Sequence, residues 1–194
     1  ALSNDESVVF IRSVARILAT EKVLLPAKPH QPWEWPNDLV KEYERRRIIP
    51  GYKSQGKTII LYSLSPKTKL GRYVIAVAQA LARAGRVSGH AAANKWVDEL
   101  HWPLWNALKQ LGVLDWAGAK VGNEVPQGIR IDSFELHPIG DDVHRCQACA
   151  YVMSETVLGV CIRCGQGTDT ISSSRLQNYY RRAAIHALPG SIFD

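Results

Sequence analysis

Apolar residues first fall into helical register at Val8, Val9, Phe10, Ile11, Val14, Ile17 and Leu18, behind Ser3-Asn4-Asp5-Glu6, which offers a capping hydroxyl and early acids. The spacing predicts a helix over about 5–20. Arg12 and Arg16 stand one turn apart on it and read as a solvated face rather than a phosphate-facing pair. Four prolines in 26–36 fix φ and remove donors, so this stretch is an extended connector. Trp33 and Trp35 within it are read as pinning the connector to a neighbouring core rather than stacking on bases. Asn37-Asp38 then caps a second predicted helix, through Leu39, Val40 and Tyr43 to the arginines before Pro50-Gly51. The β-branched and apolar run after Thr58, closed by Pro66, reads as a strand.

Helical spacing returns at Leu70, Tyr73, Val74, Val77 and Leu81, predicting a helix over about 70–84 that Gly85 ends. A helix over about 90–100, a short break, and a further helix opened by Pro103 and closed by Gly112 follow. Residues 113–116 and 129–136 read as two strands around the glycine-rich loop 118–128. Three helices and then a two-stranded wing is the order of a winged helix-turn-helix, whose third helix would enter the major groove. That helix would carry Lys109 as its one positive charge and few base-reading groups. The module is therefore expected to be mostly scaffold, with Trp96, Trp102, Trp105 and Trp116 in packing roles.

All four cysteines of the chain lie in Cys146-x2-Cys149 and Cys161-x2-Cys164-Gly165. Two residues between cysteines let a tight knuckle aim both sulfurs at one ion, and two such knuckles can close a tetrahedron on Zn²⁺. Residues 151–160 between them read as a short hairpin, and Gly165 permits the positive φ that ends a knuckle. The pattern predicts a zinc ribbon with one structural zinc per chain. Four sulfurs leave no open catalytic position, and with no secretory leader evident two disulfides are disfavoured; a redox pair would not come in matched sets. Nearby His144 is surplus as a ligand. Ser172-Ser173-Ser174 then caps a last predicted helix over about 175–188. Its interleaved Tyr179, Tyr180, Arg181 and Arg182 suit nucleic-acid contact and docking onto a neighbouring domain equally.

Net charge is +6, and residues 1–72 hold all of the excess, with thirteen Lys/Arg against seven Asp/Glu. A basic surface confined to one lobe is the footprint expected of a nucleic-acid partner. Its candidate contacts are Arg45, Arg46, Arg47, Lys53, Lys67, Lys69 and Arg72, with DNA engaged weakly and without sequence preference. Residues 51–58 match the phosphate-loop pattern G-x4-G-K-[ST], but that loop needs a strand entering and a helix leaving. Here a helix is expected before it and a strand after it, so a nucleotide site on Lys57 is disfavoured. A composition that is 46% hydrophobic supports a buried core. No apolar run approaches the ~20 residues of a membrane span, so the expected location is cytoplasmic. The chain starts on Ala1, and the expectation is of a segment cut from something longer.

Residues 72–100, the two cysteine pairs with Gly165, and Asn178-Tyr179-Tyr180-Arg181-Arg182 resemble the zinc-binding region of large bacterial DEAD/DEAH-box helicase-like proteins, phage-defence helicases among them. The resemblance implies a parent ATPase that moves on or remodels DNA, with this segment an accessory platform beside the motor. No catalytic residue is expected here, since the motor motifs are absent from the 194 residues. The expected organisation is α+β: a basic, mainly helical N-terminal lobe (1–69), a winged-helix-like module (70–140), a four-cysteine zinc ribbon (141–170) and a C-terminal helix (171–194). The competing reading is a protein-interaction adaptor held together by the zinc.

Overall fold

The computed structural model describes residues 2–21, 23–25, 47–50, 59–116, 126–130 and 140–175. The fold is mixed, with three helices and eight short strands among these residues. Helix α1 spans Asn4–Thr20, and its start is a capping box: the Glu6 N–H donates to Ser3 Oγ, and the Ser3 N–H donates to Glu6 Oε2 at 2.7 Å. Strand β1 (Leu24–Leu25) follows, then β2 (Arg47–Ile49) and β3 (Ile59–Leu61). Beyond them come α2 (Lys69–Arg83), α3 (Gly89–Gln110), β4 (Asp115–Trp116) and β5 (Gln127–Arg130).

Four strands run in the order β1-β5-β2-β3, and β4 also pairs with β5. β2 lies parallel to β3, with Arg47 opposite Ile59, and β1 lies parallel to β5. β5 thus gathers partners from three separate parts of the chain. The hairpin expected from 113–116 and 129–136 is present as β4 with β5, but it is built into a five-stranded sheet instead of projecting as a wing. The rest of that second strand, 131–136, lies outside the described residues.

Two further expectations are corrected. The helix expected to run up to Pro50-Gly51 gives way to a strand at Arg47: Ile48 and Ile49 are both buried, so consecutive side chains find apolar surroundings, as in a strand covered on both faces. The remainder of that helix, together with the connector 26–36, lies outside the described residues. The break expected near Pro103 is absent, and α3 is one helix of 22 residues with the proline inside it. Pro103 removes the N–H that would reach the Glu99 carbonyl. The helix continues because one apolar stripe, Ala93, Val97, Leu100, Leu104 and Leu108, runs past the proline into the core. Within the expected 70–140 module, two described helices, α2 and α3, therefore precede β4 where three were expected, so the helix order expected of a winged helix is not seen among the described residues.

Helix α2 is the centre of the body. Leu70, Tyr73, Val74, Val77, Ala78, Ala80 and Leu81 are all buried on it, with α3 along one side and Phe10 of α1 stacked on Tyr73 at 5.8 Å. Thr68 caps it, accepting from the Gly71 N–H at 2.9 Å and donating to the Ser63 and Ser65 carbonyls. This folds the 63–66 segment tightly over the first turn. No helix among the described residues is long and apolar enough to cross a membrane.

Gly71 is where that turn tolerates no side chain: a Cβ would come within 2.5 Å of the Leu64 carbonyl carbon and oxygen, and both are backbone atoms. Gly71→Ala is expected to destabilise the protein by about 3 kcal/mol through overpacking. Gly112→Ala, which meets nothing but sits at φ +70°, should cost about 1 kcal/mol. Urea unfolding of the two variants, compared at equal slope, checks the ranking.

Candidate metal centre

The second sheet is small, β7-β6-β8 in order, and it frames the cysteines. β6 spans Asp142–Cys146, β7 Val152–Met153 and β8 Thr168–Ser172. β6 delivers Cys146 into the interior at its last residue, pairing with β8 from Asp142 opposite Ser172 to Cys146 opposite Thr168. The hairpin expected within 151–160 is replaced: Val152 and Met153 pair back onto β6, and only a tight Val157–Val160 bridge lies before the second cysteine pair. β6 and β8 were illegible as strands because Val143 and Ile171 are their only large aliphatic residues.

The two knuckles repeat one geometry. In the first, the Cys149 N–H points to Cys146 Sγ at 3.5 Å and the Ala150 N–H donates to the Cys146 carbonyl at 3.1 Å. In the second, the Arg163 N–H points to Cys161 Sγ at 3.4 Å and the Gly165 N–H donates to the Cys161 carbonyl at 2.9 Å. Each closes on a residue with positive φ, Ala150 at 56° and Gly165 at 77°. The glycine adopts this freely, as its place in the sequence suggested, whereas the alanine is strained.

All four Sγ atoms lie within 4.8 Å of one another, with Cys146 to Cys164 at 3.4 Å and Cys149 to Cys161 at 3.7 Å. No pair is a disulfide, since the cysteines are free and a bonded pair would stand at about 2.05 Å. A tetrahedron of thiolates with metal–sulfur bonds of about 2.3 Å has edges of about 3.8 Å, which the two distances approach. The group could therefore hold one metal ion in an all-sulfur site with no position left for a reacting ligand. Burial pushes the Cys161 thiol up to about 12. Burial also raises Cys146, but donation from the Cys149 and Ala148 N–H groups outweighs it and brings that thiol down to about 7. Metal binding must then release protons, most of all from Cys161. His144 stays apart from the sulfurs, its Nδ1 3.4 Å from Thr170 Oγ1.

The centre is seated on the helices. A Cβ on Gly165 would lie 3.1 Å from Ala76 Cβ and 3.5 Å from the Arg72 carbonyl, so the second knuckle rests directly on α2. Cys146, Met153, Val157, Val160, Cys161 and Ile162 join the same buried cluster as Phe10, Tyr73 and Val77. Arg12 and Arg16 keep much of the solvent exposure expected of them, and they also reach across to Glu155, each at 3.3 Å. Glu155 Oε1 is buried without a well-aligned hydrogen bond; Arg16 lies beside it, and Arg12 beside Oε2 of the same carboxylate. The spacing of the two arginines was visible in the sequence, but a partner some 140 positions away was not.

The basic candidates are distributed as follows. Arg45, Arg46 and Lys53 lie outside the described residues, and Arg47 opens β2, where only its backbone is described. Lys69 forms an ion pair with Glu21 at 2.6 Å. Lys67 and Arg72 are exposed and adjacent, Arg72 Nη1 lying 3.4 Å from the Lys67 carbonyl, with no carboxylate partner among the described residues. The loop 51–58 is also outside them; β2 enters it and β3 leaves it, so a strand stands on both sides where a phosphate loop needs a helix to follow. The final helix is described only at its first residues, Ser174 and Arg175. Of the tryptophans, Trp105 is buried and Trp96 packs edge-on against Phe10, but Trp102 and Trp116 are 52% and 66% exposed, contrary to the packing roles expected of them.

Comparison with known proteins returned no match: no family model, curated protein or solved structure matches the chain.

The matched knuckles make opposite predictions for one exchange. Ala150→Gly relieves a strained φ and should stabilise the protein by roughly 0.5 kcal/mol, net of the added freedom of the unfolded chain. Gly165→Ala should destabilise by about 2 kcal/mol, since it adds both the strain and a methyl group against Ala76. Thermal unfolding at fixed metal concentration measures both signs.

Proposed function

We propose that the protein is a non-catalytic nucleic-acid-binding platform held together by one structural zinc, serving as an accessory part of a larger helicase-like ATPase of bacterial phage defence. The observation that carries the binding half is the exposed pair Lys67 and Arg72 at the β3–α2 junction, cations without an acidic partner among the described residues. They lie within residues 1–72, which hold the chain's whole charge excess. The zinc half rests on the four converging thiols: an all-cysteine set with C-x2-C spacing favours zinc among abundant divalent ions. The parent rests on the sequence resemblance, and the cytoplasmic location follows from that parent. Catalysis is assigned to the motor, which the 194 residues do not contain. DNA is the preferred ligand, bound through backbone phosphates, because the described residues offer cations and no base-reading helix in a groove-binding arrangement.

Two measurements test this. Elemental analysis of protein purified without added metal should find about one equivalent of zinc per chain. Cys161→Ser should lose the metal and unfold the ribbon, the site supplying roughly 10–16 kcal/mol of apparent binding energy. Less than half an equivalent, or iron in its place, rejects the zinc assignment.

Salt titration of DNA binding tests the surface. If about four of the seven named cations touch phosphate, log affinity should fall against log salt with a slope of roughly −3 to −4 on duplex DNA. Replacing Arg45 and Arg47 together by Ala should flatten it by nearly 2. Binding insensitive to salt would favour a protein-interaction adaptor, with the cations facing a polypeptide.

A further inference from the structure

Between the 63–66 segment and the outer face of α3 lies an open cleft of about 500 Å³, within the size range of small-ligand sites. Among the described residues its floor is apolar, with Ile75 and Val97, while Ser63, Ser65, Asn94 and Asp98 supply polar groups at its walls. One side is the exposed indole of Trp102. That ring is not loose: His101 meets it edge to face at 5.3 Å, and His101 lies 4.8 Å from the ring of Tyr62. Tyr62 is fully buried and donates its hydroxyl to the His101 carbonyl at 3.1 Å. A large aromatic ring is thus braced from the core yet remains 52% exposed among the described residues, at the rim of a cavity with hydrogen-bonding walls. Such a face costs little entropy when it is used for binding.

The charge around the cleft narrows the ligand. Its lip is Ser65-Pro66, and the next residue is Lys67, with the Arg72 guanidinium against the Lys67 carbonyl. Aromatic face, polar wall and neighbouring cations are the three parts of a site for an unstacked base and its phosphates. We propose that the cleft receives one nucleobase of a single-stranded nucleic acid, stacked on Trp102, with Asn94 and Asp98 at its polar edge and Lys67 and Arg72 on the adjacent phosphates. This rests on the nucleic-acid reading above and makes it specific to single strands, because a base inside a duplex cannot present its face to the indole. The Asp98 carboxylate only accepts hydrogen bonds, so it favours bases with an exocyclic amine, adenine, cytosine or guanine, over thymine and uracil, which offer it a single N3–H.

The test is fluorescence anisotropy with labelled oligo(dA), oligo(dT) and a mixed-sequence duplex of about twelve nucleotides, a length suited to one binding groove. Wild type, Trp102→Ala, Trp102→Phe and Asp98→Asn are compared at several salt concentrations, after metal content and circular dichroism confirm that each is folded. Wild type is expected to bind oligo(dA) more tightly than oligo(dT). Trp102→Ala should weaken single-strand binding about tenfold with its salt slope and duplex binding unchanged, and Trp102→Phe should recover most of the loss. Asp98→Asn should narrow the preference for adenine. Salt-dependent binding that ignores Trp102→Ala, or that falls equally for duplex and single strand, overturns the cleft and leaves the platform standing. No salt-dependent binding to any of the three overturns both, and hands the cleft to a polypeptide partner.

Discussion

Four sulfurs converge within 4.8 Å of one another, and nothing but a cation makes that arrangement favourable once the thiols ionise. Four like charges so close repel by several kcal/mol even in a well-screened interior. The three-stranded sheet around them is made of strands of two to five residues, too short to hold the loops by its own ladder. An ion bound there would therefore fix the knuckles, and the knuckles determine what α2 touches. Because Gly165 rests on Ala76 without a gap, the geometry at the sulfurs is transmitted rigidly into the helical body.

That coupling is apolar as well as steric. Cys146, Met153 and Ile162 share one cluster with the helices, so ribbon and helices have no solvent layer between them. The Glu155 carboxylate adds direction to this contact. Two arginines one turn apart on α1 reach it, and Arg16 also lies near Ser154. A contact with partly exposed arginines contributes little energy, but it selects one rotation of the ribbon about α1. Beneath it, Tyr73 is pushed up to about 12 by burial and stays neutral, so the clamp carries its charges at the edge of an otherwise uncharged core.

Local chemistry was legible in the sequence, and long-range pairing was not. The Ser3–Glu6 box, the Gly85 stop and the spacing of the cysteines each depend on residues within a few positions of one another. β2 was misread because Arg47-Ile48-Ile49 continues a charged, helix-like run, and what makes it a strand comes from Ile59 and Gln127. Pro103 was read as a start because proline favours a first turn; the stripe from Ala93 to Leu108 overrides it, and a stripe is seen only when both sides of the proline are taken together. Trp102 could not be told from Trp105 by spacing, since three positions along a helix share roughly one side. Only the packing of α3 decides that one is buried and the other faces the cleft.

The position of β5 in the sheet also sets an order of assembly. Leu24 waits for Ile129 and Ile48 waits for Gln127, so the first lobe's strands emerge from a ribosome roughly eighty to a hundred residues before their central partner exists. Helices α2 and α3 lie between them and can pair at once from neighbouring sequence. The nascent chain thus passes through a stage in which a helical hairpin is formed while the apolar edge of β2 is unpaired, a species open to strand addition by another chain. The cysteines follow last, and by then the surface of α2 that receives them is already in place.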